Sequence, residues 1–146
     1  MAIAAAARLN GSSSMRFMSI VTSPQPDKAP TPALMEAMGK LAEREIKAGR
    51  MVDMGGLTPL QQGARVSIEG GKLRVTDGPF VEAKEVIGGY AIFEFRDRAE
   101  ALAMAKEFMQ LHLDHMPGWE GTCELRAMAG HGLEMTCGDV ESPAHA

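Results

Sequence analysis

The sequence predicts one α+β domain in which an antiparallel sheet carries two helices on one face. Segments of alternating hydrophobicity and two amphipathic helical segments follow in the order strand, helix, strand, two-strand hairpin, strand, helix, strand. This order is typical of a split βαβ arrangement with an inserted β-hairpin. A length of 146 residues suits one domain with a substantial core and leaves little room for a second.

Composition and charge narrow the class of protein. Apolar residues make up 45% and charged residues 23% of the chain, which is ordinary for a soluble globular protein. The net charge of −4, without a dense run of Lys or Arg, argues against a direct nucleic-acid partner. No apolar run approaches a membrane span, and the two cysteines do not suggest a disulfide framework. We therefore expect a cytoplasmic protein with no membrane partner.

Flexible segments are predicted at both ends, in residues 1–14 and 130–146. The first is rich in Ala, ends in Gly-Ser-Ser-Ser and lacks the charged start of a secretory signal, and Met15 offers an alternative start. The last is rich in Gly, His and acidic residues. The domain itself is predicted to occupy residues 15–129.

The first half of the domain is predicted as a strand, a helix and a short strand. Residues 16–22 alternate in a way that suits a central strand buried on both faces. Thr31 and Pro32 begin the helix, because Thr is a good N-cap and Pro is tolerated in the first turn. Gly49 ends the helix in a left-handed conformation, and residues 51–57 form the next strand.

The second half is predicted as a hairpin, a strand, a helix and a last strand. Residues 64–69 and 72–76 alternate with period two around a Gly-Gly pair, which is typical of a type I′ turn with apolar residues on one face. Residues 86–95 form the next strand. Asp97, followed three residues later by Glu, predicts a helix that begins with a capping box. The last strand covers residues 122–128.

The charged residues after the hairpin are the leading candidates for chemistry. Asp77 precedes Gly-Pro-Phe, and Glu82 and Lys84 follow. On a functional interpretation, Asp77 is a general base, while Lys84 and Glu82 contact a ligand. On a structural interpretation, Asp77 caps the Gly-Pro turn, and Lys84 pairs with Glu82 or Glu85. The residues alone leave both interpretations open.

Two histidines near the end of the second helix form another candidate site. His112 and His115 lie three residues apart, so their imidazoles can share a helix face. They are candidates for proton transfer or, with Asp114 or Glu120, for metal binding. The structural alternative is that the helix macrodipole favours histidine at this position. We expect neither a bound metal nor another cofactor.

Trp119 and Cys123 each have a functional and a structural interpretation. Trp119 is the only tryptophan of the chain. Its ring could line a ligand pocket, whereas packing at the core edge or in a dimer interface is the alternative. Cys123 lies in a predicted strand without a histidine pattern nearby, and we expect a small core residue.

An antiparallel sheet with both helices on one face leaves the other face without a cover. A second copy of the chain provides that cover most simply, because closed symmetric dimers are the commonest oligomers. The sequence therefore predicts a homodimer whose sheets pack face to face.

The stretch from Asp77 to Gly89 resembles the YCII-related family, and specifically its DGPF branch, through Asp-Gly-Pro-Phe and the Glu, Lys and Gly residues that follow. Further matching segments are Arg16-Phe17-Met18, Gly56-Leu57-Thr58-Pro59 and Pro117-Gly118-Trp119-Glu120-Gly121. The resemblance spans about residues 15–129. It implies a dimeric α/β-barrel built from ferredoxin-like subunits.

What the resemblance implies about function is less specific. Most members of the family have no established activity, and some relatives use a His/Asp pair in a cleft as acid and base. The early histidine of that pair has no counterpart here, because residues 16–50 contain none. Proteins of the DGPF branch are often encoded near sigma-type transcription factors. We therefore expect a small-ligand-binding or accessory protein linked to transcriptional regulation, with an acid/base lyase or isomerase for a small organic acid or aromatic as the alternative.

Overall fold

The computed structural model of the chain describes residues 14–24, 28–77 and 85–130, which form two antiparallel sheets and two α-helices. In chain order the elements are β1 (Met15–Ser23), α1 (Pro32–Lys47), β2 (Met51–Gly56), a 3-10 turn (Leu60–Gln62), β3 (Ala64–Glu69), β4 (Lys72–Asp77), β5 (Val86–Phe95), α2 (Arg98–His115) and β6 (Thr122–Ala127). The predicted α+β class and element order are confirmed. Both sheets are open, and neither closes into a barrel within the described ranges.

The main sheet has four strands in the order β2-β5-β1-β6, and all neighbours are antiparallel. β1 lies inside the sheet, where Phe17 is opposite Phe93 on β5 and Ala127 on β6. β2 forms one edge and β6 the other. Because β5 lies between β1 and β2 in the sheet, the connection that runs from β1 through α1 to β2 must pass over β5.

The core lies between the two helices and one face of the main sheet. Three phenylalanines of β1 and β5 form its centre, with Phe93 and Phe95 stacked at 5.0 Å between ring centroids and Phe17 at 6.2 Å from Phe95. Leu41 of α1 and Ala101 of α2 pack against these rings. In the described part of the chain, neither helix is long and apolar enough to cross a membrane.

Thr31 begins α1 as predicted and also links the two helices. The Thr31 Oγ1 accepts a hydrogen bond from the Leu34 N–H at 3.1 Å and donates one to the His115 carbonyl at 2.6 Å. The start of α1 is thereby bound to the last residue of α2. At the other end of α1, Gly49 has φ +77°, which confirms the predicted left-handed stop.

Asp97 caps the N-terminus of α2 as predicted, but Glu100 differs from a capping box in the backbone N–H that it binds. The Asp97 carboxylate accepts the Glu100 N–H at 2.9 Å, as an N-cap does. The Glu100 carboxylate reaches back to the N–H of Arg96 at 2.9 Å, one residue before the cap. On α2, Ala101 and Ala105 are buried, whereas Leu102 is 38% exposed.

A fully buried carboxylate lies at the junction of the helices and the sheet. Glu45, on α1, has no exposed surface and accepts two hydrogen bonds from Arg50, at 2.7 and 2.8 Å, and one from Arg44 at 2.9 Å. Arg44 also binds Glu107 of α2 through both guanidinium nitrogens, at 2.7 and 2.8 Å. The Arg50 carbonyl accepts the N–H of Glu94 on β5, so the network links α1 to α2 and to the sheet.

The hairpin β3–β4 forms its own two-stranded sheet. Its apolar residues share one face as predicted, with Val66 opposite Val75 and Ile68 opposite Leu73. Gly70 and Gly71 between the strands have φ +58° and +77°, as a type I′ turn requires. All four apolar side chains are at least 66% exposed, so the described part of the chain leaves this face largely uncovered.

Candidate functional site

Asp77, the one described residue of the predicted acidic site, lies at the base of the hairpin. Asp77 is the last residue of β4, opposite Ala64, and is exposed. Glu82 and Lys84, as well as the Gly-Pro turn that Asp77 was expected to cap, lie outside the described residues. The predicted grouping of these three charged side chains therefore remains a prediction.

His112 and Trp119 are brought into direct contact at the end of α2. The His112 ring is 8% exposed, with its centroid 4.5 Å from that of Trp119 and 4.8 Å from that of Phe108. Its Nδ1 lies 3.0 Å from the Phe108 carbonyl oxygen. Because a carbonyl oxygen only accepts, Nδ1 carries a proton and is engaged in this bond. The geometry agrees with a packing role for both rings.

His115 contributes its backbone rather than its ring to the described contacts, through the carbonyl that accepts the Thr31 hydroxyl. Its side chain is partly exposed, three residues beyond the buried ring of His112. Across residues 14–24, 28–77 and 85–130, no group of three or more His, Cys, Asp and Glu side chains is arranged to hold a metal ion.

The described residues leave the face of the main sheet opposite the helices open, and the centre of this face is apolar. We call this surface the open face. Strand register places Met18 opposite Ile92, and Ile20 opposite Tyr90, on this face. These side chains are only partly buried, so the expectation that β1 is buried on both faces is not met within one chain.

Ion pairs border the apolar centre of the open face. Arg16 on β1 pairs with Glu94 on β5, with 2.7 Å between Nη2 and Oε2. On β6, Arg126 pairs with Glu124 at 3.1 Å. The Arg16 Nε is buried and has no hydrogen-bond partner in the described structure. An apolar centre with a charged border is the usual anatomy of a protein interface.

A tyrosine and an aspartate form a polar pair at the β2 edge of the open face. The Tyr90 hydroxyl donates to Asp53 Oδ2 at 3.2 Å, and the Met54 N–H donates to Asp53 Oδ1 at 2.8 Å. The negative charge of Asp53 raises the pKa of Tyr90, mainly through the Coulomb interaction and also through the hydrogen bond. The phenol therefore stays protonated at neutral pH.

Glycines make room for this pair. A Cβ on Gly55 would lie 2.9 Å from Tyr90 Cε1, so the aromatic ring can lie across the strand only because the side chain is absent. A Cβ on Gly89 would likewise lie 2.9 Å from the Gly55 carbonyl oxygen. The backbones of β2 and β5 therefore approach closely at this position. The Asp53–Tyr90 pair itself was not predicted, because the two residues are 37 positions apart.

A groove of about 340 Å³ lies on the helix side of the sheet, between α2 and β6. We call it the α2–β6 groove, and the described residues that line it are Phe17, Arg98, Leu102, Ala105, Cys123, Leu125 and Ala127. The three α2 residues are spaced four and three apart, so they share one helical stripe. The three β6 residues alternate, so they share one face of the strand.

Cys123 occupies the wall of the groove instead of the core interior that we expected. Its side chain is partly exposed, and burial raises the pKa of its thiol. The thiol therefore remains protonated and behaves as a small apolar group at neutral pH. Cys123 was expected in the core because its position in an alternating strand indicates which face points inward, but not whether another element covers that face.

The fold and its two surfaces define a small α+β domain with an uncovered sheet face and an apolar groove. A family model for the YCII-related domain matches residues 15–109 of the chain. The chain therefore belongs to the YCII-related family. No curated protein matches it.

Proposed function

We propose that this chain is a small-ligand-binding accessory protein of the DGPF branch, without catalytic activity of its own. The observation that supports the proposal most is the α2–β6 groove, whose apolar lining suits ligand binding. The groove contains no histidine and no carboxylate among its described residues. His112, one of the two histidines that the sequence suggested for proton transfer, is instead buried and packs against the rings of Phe108 and Trp119.

We further propose that the protein acts as a cytoplasmic homodimer of ferredoxin-like subunits, in which two open faces meet to form an α/β-barrel. Support comes from the apolar centre formed by Met18, Ile20 and Ile92 and from the ion pairs that border it. The α2–β6 groove lies on the other side of the sheet. A ligand would therefore reach the groove in the dimer as well as in the monomer.

The proposed function is tested directly by asking whether the protein binds small ligands without converting them. Purified protein would be screened by thermal shift against small carboxylates, phenols and neutral aromatics, and hits would be measured by calorimetry. We expect saturable binding, with each ligand unchanged by NMR after prolonged incubation. Leu102→Gln should weaken binding because it places an amide in the apolar wall. Leu113→Gln is the matched control, since Leu113 lies on the same helix, is 70% exposed and does not line the groove.

The proposed link to transcriptional regulation acts through a ligand or a protein partner rather than through DNA. The net charge of −4 supports this, because affinity for DNA depends on the neutralisation of phosphates by Lys and Arg. A mobility-shift assay with duplex DNA at physiological salt, with and without bound ligand, should show no complex. A salt-resistant, sequence-specific complex would contradict the proposal.

The Asp53–Tyr90 pair favours a second candidate function, an acid/base lyase or isomerase. A protonated phenol beside a carboxylate can donate to a substrate oxygen while the carboxylate accepts a proton. The test is incubation of the protein with enolisable small acids in deuterium oxide, followed by NMR. Catalysed exchange that is lost in both Tyr90→Phe and Asp53→Asn would favour the enzyme, whereas no exchange favours the binding function.

A further inference from the structure

We propose that the α2–β6 groove binds a small monocarboxylic acid with an apolar body, whose carboxylate pairs with Arg98. This inference rests on the ligand-binding function proposed above and adds the chemical class of the ligand.

The lining excludes a polar ligand body. Leu102 and Leu125 line the groove with apolar side chains, Phe17 of the core adds only the small part of its ring that is exposed (4%), and the alanines and the protonated thiol of Cys123 complete the walls. A hydroxyl or amide group placed against these side chains would lose its hydrogen bonds to water without replacement. The body of the ligand is therefore aliphatic or aromatic.

Arg98 is the only charged residue among the described residues that line the groove. Other arginines of the domain have acidic partners, such as Arg96 with Glu100 at 3.2 Å and Arg126 with Glu124 at 3.1 Å. Arg98, in contrast, has no hydrogen bond or ion pair within the described ranges. Its neighbour Asp97 uses one carboxylate oxygen for the cap of α2. The guanidinium therefore offers an unused fork of N–H donors that fits a carboxylate.

The dimensions limit the size of the acid. The α2 wall extends from Arg98 to Ala105, seven residues or roughly 10 Å along the helix axis. The volume of about 340 Å³ lies at the lower end of the range for small-molecule sites. Phenylalkanoic acids and medium-chain fatty acids fit these limits. Dinucleotides and other large cofactors do not.

The experiment compares acids with their neutral amides and uses Cys123 as a reporter. In a Cys137→Ser background, Cys123 is the one remaining thiol, because the chain has two cysteines. Phenylacetate, hexanoate and their amides would be titrated by calorimetry, and the rate of Cys123 modification by N-ethylmaleimide would be measured with each. We expect the acids to bind about tenfold more tightly than the amides and to slow modification.

Two arginine variants test whether Arg98 contacts the carboxylate of the ligand. Arg98→Gln should remove the preference for acids over amides, while the remaining apolar binding continues to protect Cys123. Arg96→Gln is the matched control, because Arg96 lies two residues away but is paired with Glu100. The preference for acids should be unchanged in this control.

Three outcomes would overturn the inference and are distinguishable from one another. Equal binding of acids and amides that protects Cys123 would overturn the carboxylate class but support the ligand-binding function. Absence of binding by every probe, with Cys123 freely reactive, would overturn both. Absence of binding with Cys123 fully protected in the free protein would mean that a second copy or another segment of the chain occupies the groove.

Discussion

At the scale of single residues, Glu45 shows how a buried charge is stabilised in this domain. Its carboxylate has no exposed surface, and hydrogen bonds from Arg50, followed by those from Arg44, lower its pKa against the opposing effect of burial. Both arginines keep part of their side chains in water, at 38% and 50% exposure. The free-energy cost of desolvating the carboxylate is therefore offset by two charge-assisted contacts rather than by neutralisation.

Loss of the Glu45 charge should destabilise the domain and reduce the dependence of its free energy of unfolding on pH in the acidic range. We expect Glu45→Gln to lower the free energy of unfolding at pH 7 by about 3 kcal/mol, because Arg50 loses its carboxylate partner beside the core and Arg44 keeps only Glu107. Since the folded pKa lies below the ordinary value of 4.5, the unfolded chain binds more protons near that pH. The contribution is therefore complete above about pH 5 and is lost as the pH falls through the folded pKa.

Urea denaturation at pH 7 and at pH 3.5 measures both effects of Glu45→Gln. The variant should lose less stability between these two pH values than the natural protein does. Glu43→Gln is the control, because Glu43 forms an exposed pair with Lys47 and should change stability by less than about 0.5 kcal/mol. Equal acid dependence in the natural protein and in Glu45→Gln would show that the network is not a source of stability.

At the scale of elements, one threonine hydroxyl connects the beginning of α1 to the end of α2. Thr31→Ala removes the N-cap acceptor for Leu34 and the donor to the His115 carbonyl. We expect the free energy of unfolding to fall by about 1–2 kcal/mol. Thr31→Ser keeps the hydroxyl and should stay within about 0.5 kcal/mol of the natural protein. Similar losses in both variants, measured by thermal or urea unfolding, would assign the effect to the methyl group instead.

The hairpin β3–β4 should be the least protected of the regular elements described. Two strands alone are marginally stable, and the four apolar side chains on one face of this hairpin are 66–77% exposed. Hydrogen exchange by mass spectrometry should show peptides of residues 64–77 exchanging well before those of β1 and β5, whose strands lie inside the main sheet. Equal protection of the hairpin and the main sheet would mean that another surface covers its apolar face in solution.

At the scale of the whole molecule, the features that sequence could predict are the ones set by near neighbours. The Asp97 cap and the Gly70-Gly71 turn depend on a few adjacent residues, and the structure confirms both. Contacts between distant segments were not accessible from periodicity. Arg44, for example, binds Glu107, which lies 63 positions away in the sequence. The α2–β6 groove also depends on how far α2 covers β6, which no local pattern specifies.

The open face is the surface through which two copies of the chain are proposed to associate. Ile20 lies at the centre of this face, opposite Tyr90 on one side and Glu124 on the other. If two open faces meet as proposed, Ile20→Lys places a charged side chain in the apolar middle of the interface, and its desolvation opposes association. Light scattering after size exclusion should then give a dimer for the natural protein and a monomer for Ile20→Lys.

The control for this prediction is Ile68→Lys, a change of the same chemistry on the exposed face of the hairpin, which should leave the dimer intact. Circular dichroism checks that both variants remain folded. Because the α2–β6 groove lies on the opposite side of the sheet, a monomeric Ile20→Lys should still bind ligand there. A monomeric natural protein would exclude the proposed dimer, and a dimeric Ile20→Lys together with a monomeric Ile68→Lys would move the interface from the open face to the hairpin.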